Sequence, residues 1–122
     1  MNHIFVSIVL FLNVTLLAIL VPGGPIENRD FSKLKGVVFW GFNVFLVSLG
    51  ILTFWTSYIV LKDLSYAAMM IKIVSVGYGL VYALDLAMIF PKSPTKMSKA
   101  LMLLEIINLS LAIYSFILSE FV

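Results

Sequence analysis

The chain has 122 residues, of which 62% are hydrophobic and 11% charged, with a formal net charge of +2 and a mean hydropathy of +1.14. A water-soluble domain carries roughly 25% charged residues, so the composition argues against a soluble fold and for a chain that lives in lipid. It contains no cysteine, which removes thiol redox catalysis, thiolate-bound zinc and disulfides.

The first apolar run, about Ile4 to Val21, lacks a basic segment before it and an A-x-A-like site after it, so it reads as a retained helix rather than a cleaved leader. Pro22-Gly23-Gly24-Pro25 stops it, because proline supplies no N–H and glycine takes backbone angles that other residues avoid. Glu27-Asn28-Arg29-Asp30 is then a solvated interfacial turn, with Asp30 or Ser32 placed to cap the second helix. That helix runs from about Gly36 to Leu61. Lys62-Asp63-Leu64-Ser65 is a tight turn, which makes the second and third helices antiparallel neighbours. The third helix is expected over about 66–90, ended by Pro91-Lys92-Ser93-Pro94, and the fourth over about 99–119, capped by Ser98 or Thr95. Each run meets the roughly 17–25 residues that a spanning helix needs, and none shows the short alternating pattern of a membrane β-barrel.

The expected fold is therefore an all-α integral membrane protein, a single domain forming an antiparallel bundle of four transmembrane helices in a cell or inner membrane. Arg29, Lys33, Lys35, Lys92, Lys96 and Lys99 fall on one side of such a bundle, against Lys62 and Lys72 on the other. Basic loops stay in the cytoplasm, so both termini are expected to be extracytoplasmic. The same loops would attract anionic lipid head groups, which accounts for a pI near 9.0 without any nucleic-acid partner.

Two acids, Asp85 and Glu105, lie within the spans. An ionisable group at membrane depth costs at least ~2.5–3.5 kcal/mol, so it usually faces a partner, a cavity or a pathway. Counted from the cytoplasmic helix ends, Asn13 lies roughly 12 Å deep, Asn43 roughly 10 Å, Asp85 roughly 7 Å, Glu105 roughly 9 Å and Asn108 a turn deeper. These five residues are expected to form one polar layer and a candidate ligand or ion site. On the fourth helix, Glu105, Asn108, Ala112, Ser115 and Ser119 make one small or polar stripe that should point inward. On the second, Gly36, Asn43, Gly50 and Ser57 recur every seven residues, with Trp40, Val47 and Phe54 between them, and read as a packing seam. On the third, Tyr78, Tyr82 and Asp85 share a face, so either phenol is placed to donate to the carboxylate.

The opposite face of that third helix carries Ser75, Gly79, Ala83 and Ala87, a small-residue ridge and a candidate helix-packing interface for a homo-oligomer or a larger membrane complex. Lys72 is too far from Asp85 to pair and is expected to snorkel to head groups. A lone terminal His3 makes a poor metal site, and no motif calls for a cofactor, a metal or an enzymatic reaction. In size and helix number the chain is similar to small multidrug transporters, but their first-helix carboxylate is missing here, where the first helix carries only Asn13 and Thr15.

Two functions remain as expectations. One is a structural or accessory subunit of a membrane assembly, in which the polar groups hold helices together. The other is a small transport or binding protein that uses Asp85 and Glu105 for a proton, a cation or a polar ligand.

Overall fold

Four long helices account for nearly all of the ordered backbone in the computed structural model, which describes residues 3–20, 36–63, 65–87, 89–90 and 97–122. They are α1 (His3–Leu20), α2 (Gly36–Leu61), α3 (Ala67–Leu86) and α4 (Lys99–Leu118), with a 3-10 turn at Ser119–Phe121. Among the described residues there is no strand. Each of the four is long and apolar enough to cross a membrane. The turns expected at 22–25 and 91–94, the cluster at 27–30, and caps by Asp30, Ser32 or Thr95 lie outside the described residues.

The helices form a closed ring in which α1 touches α2 and α4, α3 touches α2 and α4, and the diagonal pairs do not meet. α2 ends in a left-handed residue, Asp63, at φ 52°, a conformation that a short polar side chain tolerates better than most. The Lys62 and Asp63 amides bond back to Tyr58 and Val60 carbonyls at 3.0 and 3.1 Å, so the chain reverses within a few residues. Ser98 caps α4, its hydroxyl accepting from the Leu101 amide at 3.1 Å.

α1 and α2 are flush at the end of the bundle that holds His3 and Asp63, here called the distal end. His3 Nε2 lies 3.1 Å from Asp63 Oδ1. The Ser7 and Ser57 hydroxyls bond to each other, and Gly50 lies under Val14 and Leu17. α1 has 18 residues and α2 has 26, or about 27 Å against about 39 Å at 1.5 Å per residue. Over the described residues α2 therefore extends further than α1 toward the opposite, proximal end, and among residues 36–45 none is buried.

Three expectations are corrected by this geometry. The seven-residue seam on α2 is not the buried stripe: Trp40 is 68% exposed and Val47 and Phe54 also face outward, while Leu46, Leu49, Thr53, Thr56 and Val60 are buried. A strict seven-residue repeat drifts about 20° per heptad on a straight helix, so of that set only the distal members reach α1: Gly50 under Val14 and Leu17, Phe54 edge-on to Phe11, and Ser57 at Ser7. α3 stops at Leu86 rather than Phe90. Pro91 disfavours helix at the residue before it, and the unwinding runs back a turn as the Ile89 and Phe90 amides both bond to the Leu84 carbonyl, at 2.9 and 3.4 Å. Phe90 then packs edge-on against Phe42, with ring centroids 5.1 Å apart. Lys72 is not a free snorkelling cation: its ammonium lies 2.8 Å from Glu120 Oε1 and ties α3 to the C-terminal turn.

α2 and α3 approach closely at Gly77, where an added Cβ would sit 2.8 Å from Leu49 Cδ1, whereas Gly41 has open space around it. Gly77→Leu should cost about 1–3 kcal/mol through overpacking, and Gly41→Leu should stay within about 0.5 kcal/mol. Unfolding of the purified variants in mild detergent measures both, and equal losses would contradict this packing.

Candidate functional site

α4 presents Glu105, Asn108, Ala112, Ser115 and Ser119 inward as one stripe, all five buried. The stripe follows steps of three and four residues, the spacing that keeps side chains on one helical face. Across from its proximal part, α3 contributes Tyr82 and Asp85, also buried. Glu105 is 1% exposed, Asn108 0% and Asp85 7%. Tyr82 is the hub: its hydroxyl lies beside the Asn108 amide and within the electrostatic reach of Glu105, Asp85 and Tyr78. The Tyr82 hydroxyl and the Asn108 amide pair with each other, loosely, across the α3–α4 interface.

The depth series is graded rather than a single layer. Asp85 is the penultimate residue of α3, so it stands at the proximal rim instead of a turn and a half inside. Glu105 lies six residues into α4, about 9 Å from its start, and Asn108 follows one turn deeper. Asn13 is buried but belongs to a different level. Its Nδ2 donates to Ser115 Oγ at 3.4 Å, and Ser115 is about 10 Å further along α4 than Asn108. Helix ends on opposite sides of a bundle give a common depth only when the helices are flush, and over the described residues α1 and α2 are flush only at the distal end. Asn43 is not in the site at all: on the overhang, its amide donates to its own Phe39 carbonyl at 2.8 Å.

A middle level closes the interior beneath the acids. Tyr78 does not serve Asp85. Its hydroxyl is 2.9 Å from Thr53 Oγ1, which also donates to the Leu49 carbonyl at 2.6 Å. The Tyr78 and Tyr82 rings stack with centroids 6.3 Å apart and an interplanar angle of 16°. With Asn13 and Ser115, this level crosses all four helices. The ridge on α3 divides: Ser75 is buried beside a hollow of about 210 Å³ shared with Ala112 and Phe116 of α4, Gly79 is half-buried with open space over it, and Ala83 and Ala87 are exposed.

The family model described as Domain of unknown function (DUF8051) matches residues 2–121. The chain belongs to this family. No curated protein and no solved structure matches it. In this DUF8051 chain the site must therefore be read from its own side chains. Two carboxyls, one amide and one phenol supply hard oxygen donors, suited to a cation held by oxygens or to proton exchange. Among the described residues no three His, Cys, Asp or Glu side chains come together as a metal site.

The sequence pattern marks Tyr82 only as a donor to Asp85 and Ser115 only as a member of the inward α4 stripe, and it does not single out Thr53. A signal for Thr53 was available, because Leu46, Leu49, Thr53, Thr56 and Val60 alternate three- and four-residue steps along one face. Thr53→Val leaves a buried phenol without its partner and should cost about 1–3 kcal/mol, while Tyr78→Phe leaves Thr53 bonded to Leu49 and should cost only about 0.5–1.5 kcal/mol. Denaturant titration in mild detergent compares them, and a costlier Tyr78→Phe would contradict the assignment.

Proposed function

We propose that the chain is a multi-pass membrane protein, with both termini extracytoplasmic, that binds a small cationic ligand or exchanges protons between α3 and α4 at the cytoplasmic end of the bundle. The membrane reading rests on four helices of spanning length and hydropathy. Orientation rests on the basic residues at 29, 33, 35, 92, 96 and 99.

The observation that carries the binding role is Asn108. It is fully buried and sets its amide against the Tyr82 hydroxyl next to the two acids, so that two carboxyls, an amide and a phenol converge between α3 and α4. Glu105 and Asp85 supply negative charge, Asn108 and Tyr82 supply neutral oxygens, and a proton leaving a carboxyl compensates the charge of an arriving cation. No step of this requires covalent chemistry.

Dicyclohexylcarbodiimide, an apolar reagent for protonated carboxyls, tests the site in detergent at constant ionic strength. Labelling of Glu105 should fall when NaCl, KCl or ethylammonium chloride is raised, and Glu105→Gln should abolish it. Asp85→Asn should keep the label but weaken cation protection about tenfold, a change of about 1.4 kcal/mol. Protection by none of the three salts would reject the binding reading.

The accessory-subunit reading keeps one specific observation in its favour. α2 overhangs the bundle with apolar residues exposed, and Gly79, Ala83 and Ala87 leave α3 a shallow outer face that a neighbouring helix would fill. If that face is an interface, Gly79→Leu or Ala83→Leu should move the detergent-solubilised particle to a smaller mass. A monomer before and after substitution would reject it.

A further inference from the structure

We infer that, in the membrane setting proposed above, the outer groove between α3 and α4 holds one bilayer phospholipid with a zwitterionic, primary-ammonium head, of the phosphatidylethanolamine type. The site rests on that setting and is independent of the cation site at Glu105.

Ser75 marks the place. A Ser or Thr inside a helix commonly satisfies its hydroxyl on the carbonyl four residues back or on a neighbouring helix, and the described helices follow that habit. Ser48, Ser110 and Ser115 each donate to the carbonyl four residues back, and Ser7 bonds to Ser57. Ser75 is the exception among the described helical Ser and Thr residues: it is 4% exposed and its hydroxyl makes no hydrogen bond within the chain. A buried hydroxyl in that state is costly, and this one borders a hollow of about 210 Å³. Val76, Ala112, Ile113, Phe116 and Ile117 complete the lining, and all but Ala112 also present surface to the outside. The hollow therefore opens toward the lipid-facing flank of the bundle and not toward its interior.

Along this groove the chemistry runs in the order of a phospholipid. At the distal mouth, one turn from Ser75, Lys72 and Glu120 pair at 2.8 Å, and the Lys72 ammonium lies 6.0 Å from the centre of the Phe116 ring that lines the hollow. Both side chains are partly exposed, so the ammonium keeps donors and the carboxylate keeps acceptors beyond their mutual bond. Two opposite charges side by side complement a head that carries both, with phosphate at Lys72 and ammonium at Glu120. An anionic head would satisfy Lys72 but meet like charge at Glu120, and a quaternary head has no N–H to donate to the carboxylate. About 4.5 Å further along α3 comes the Ser75 hydroxyl, placed for an ester carbonyl, and about 6 Å beyond it Gly79, whose open surface suits an acyl chain. The hollow between α1 and α2, lined by Val14, Leu46, Gly50 and Phe54 among others, is larger at about 260 Å³ but has no polar side chain in its lining. It has no means of choosing a head group.

Native mass spectrometry of the full-length chain in mild detergent, with phosphatidylethanolamine and phosphatidylcholine of identical acyl chains added in equal amounts, counts the retained lipid. The unsubstituted chain should keep one phosphatidylethanolamine, about tenfold over phosphatidylcholine, the ratio expected of one charge-assisted hydrogen bond. Glu120→Gln, on the surface, should bring the two lipids level. Ser75→Ala should weaken both about equally, because the ester is common to them, and Ala18→Leu, which fills the α1–α2 hollow, should change neither. Equal retention of the two lipids by the unsubstituted chain, a preference that survives Glu120→Gln, retention untouched by Ser75→Ala, loss on Ala18→Leu, or a dimer that forms in place of lipid binding would each overturn the site. Alkaline carbonate extraction of cell membranes reads the membrane setting separately. A chain released by carbonate sinks that setting, while a chain that stays in the pellet and shows no head-group preference sinks only the lipid site.

Discussion

Burying a carboxyl among apolar helices is costly unless protein groups take over the work of water, and Glu105, 1% exposed, puts that requirement in the proximal half of the bundle. The α4 stripe can carry Glu105 inward because its other members are Asn108, Ala112, Ser115 and Ser119, small or polar residues that let α3 and α1 come close. Tyr82 and Asp85 bring polar groups from α3 to the same corner. The apolar residues pushed off this face lie on the outside, where Ile106, Ile113 and Ile117 of α4 are exposed.

The second constraint is axial. α1 and α2 are registered at the distal end by Ser7 with Ser57 and by His3 with Asp63, so their difference in length appears entirely at the other end. One end of the bundle is thereby packed with interlocking aliphatic side chains, and at the other none of residues 36–45 of α2 is buried, Phe42 packing on Phe90. The buried acids stay on the proximal side of Thr53 and Tyr78, while the buried polar groups distal to that level, Ser7, Thr56, Ser75 and Ser119, are hydroxyls.

Much of this was legible in the sequence. Four apolar runs bounded by prolines, glycines and charges gave helices within a few residues of their observed ends, Ser98 was identifiable as a cap, and the α4 stripe followed from spacing alone. Spacing fixes the face and height of a residue within its own helix and says nothing about the offset between helices. Spacing therefore puts Asn13 level with Asn108 although it pairs with Ser115, and a helix run on to Phe90 sets Asp85 deeper than it stands. Asn43 was counted with the interior although an amide can bond its own preceding turn, as it does to Phe39. The Lys72–Glu120 pair escaped notice because it depends on where a short C-terminal turn folds back, which no periodicity encodes.

A carboxyl that takes part in exchange must change its protonation state when the ligand arrives. Infrared difference spectra of the reconstituted chain, recorded as salt is exchanged at fixed pH, observe this directly through the carbonyl stretch of a protonated carboxyl and the paired bands of a carboxylate. Cation addition should give loss of a protonated-carboxyl band and gain of carboxylate bands, with the signal absent in Glu105→Gln. Spectra in which no carboxyl band responds, or in which the response persists unchanged in Glu105→Gln, would contradict it.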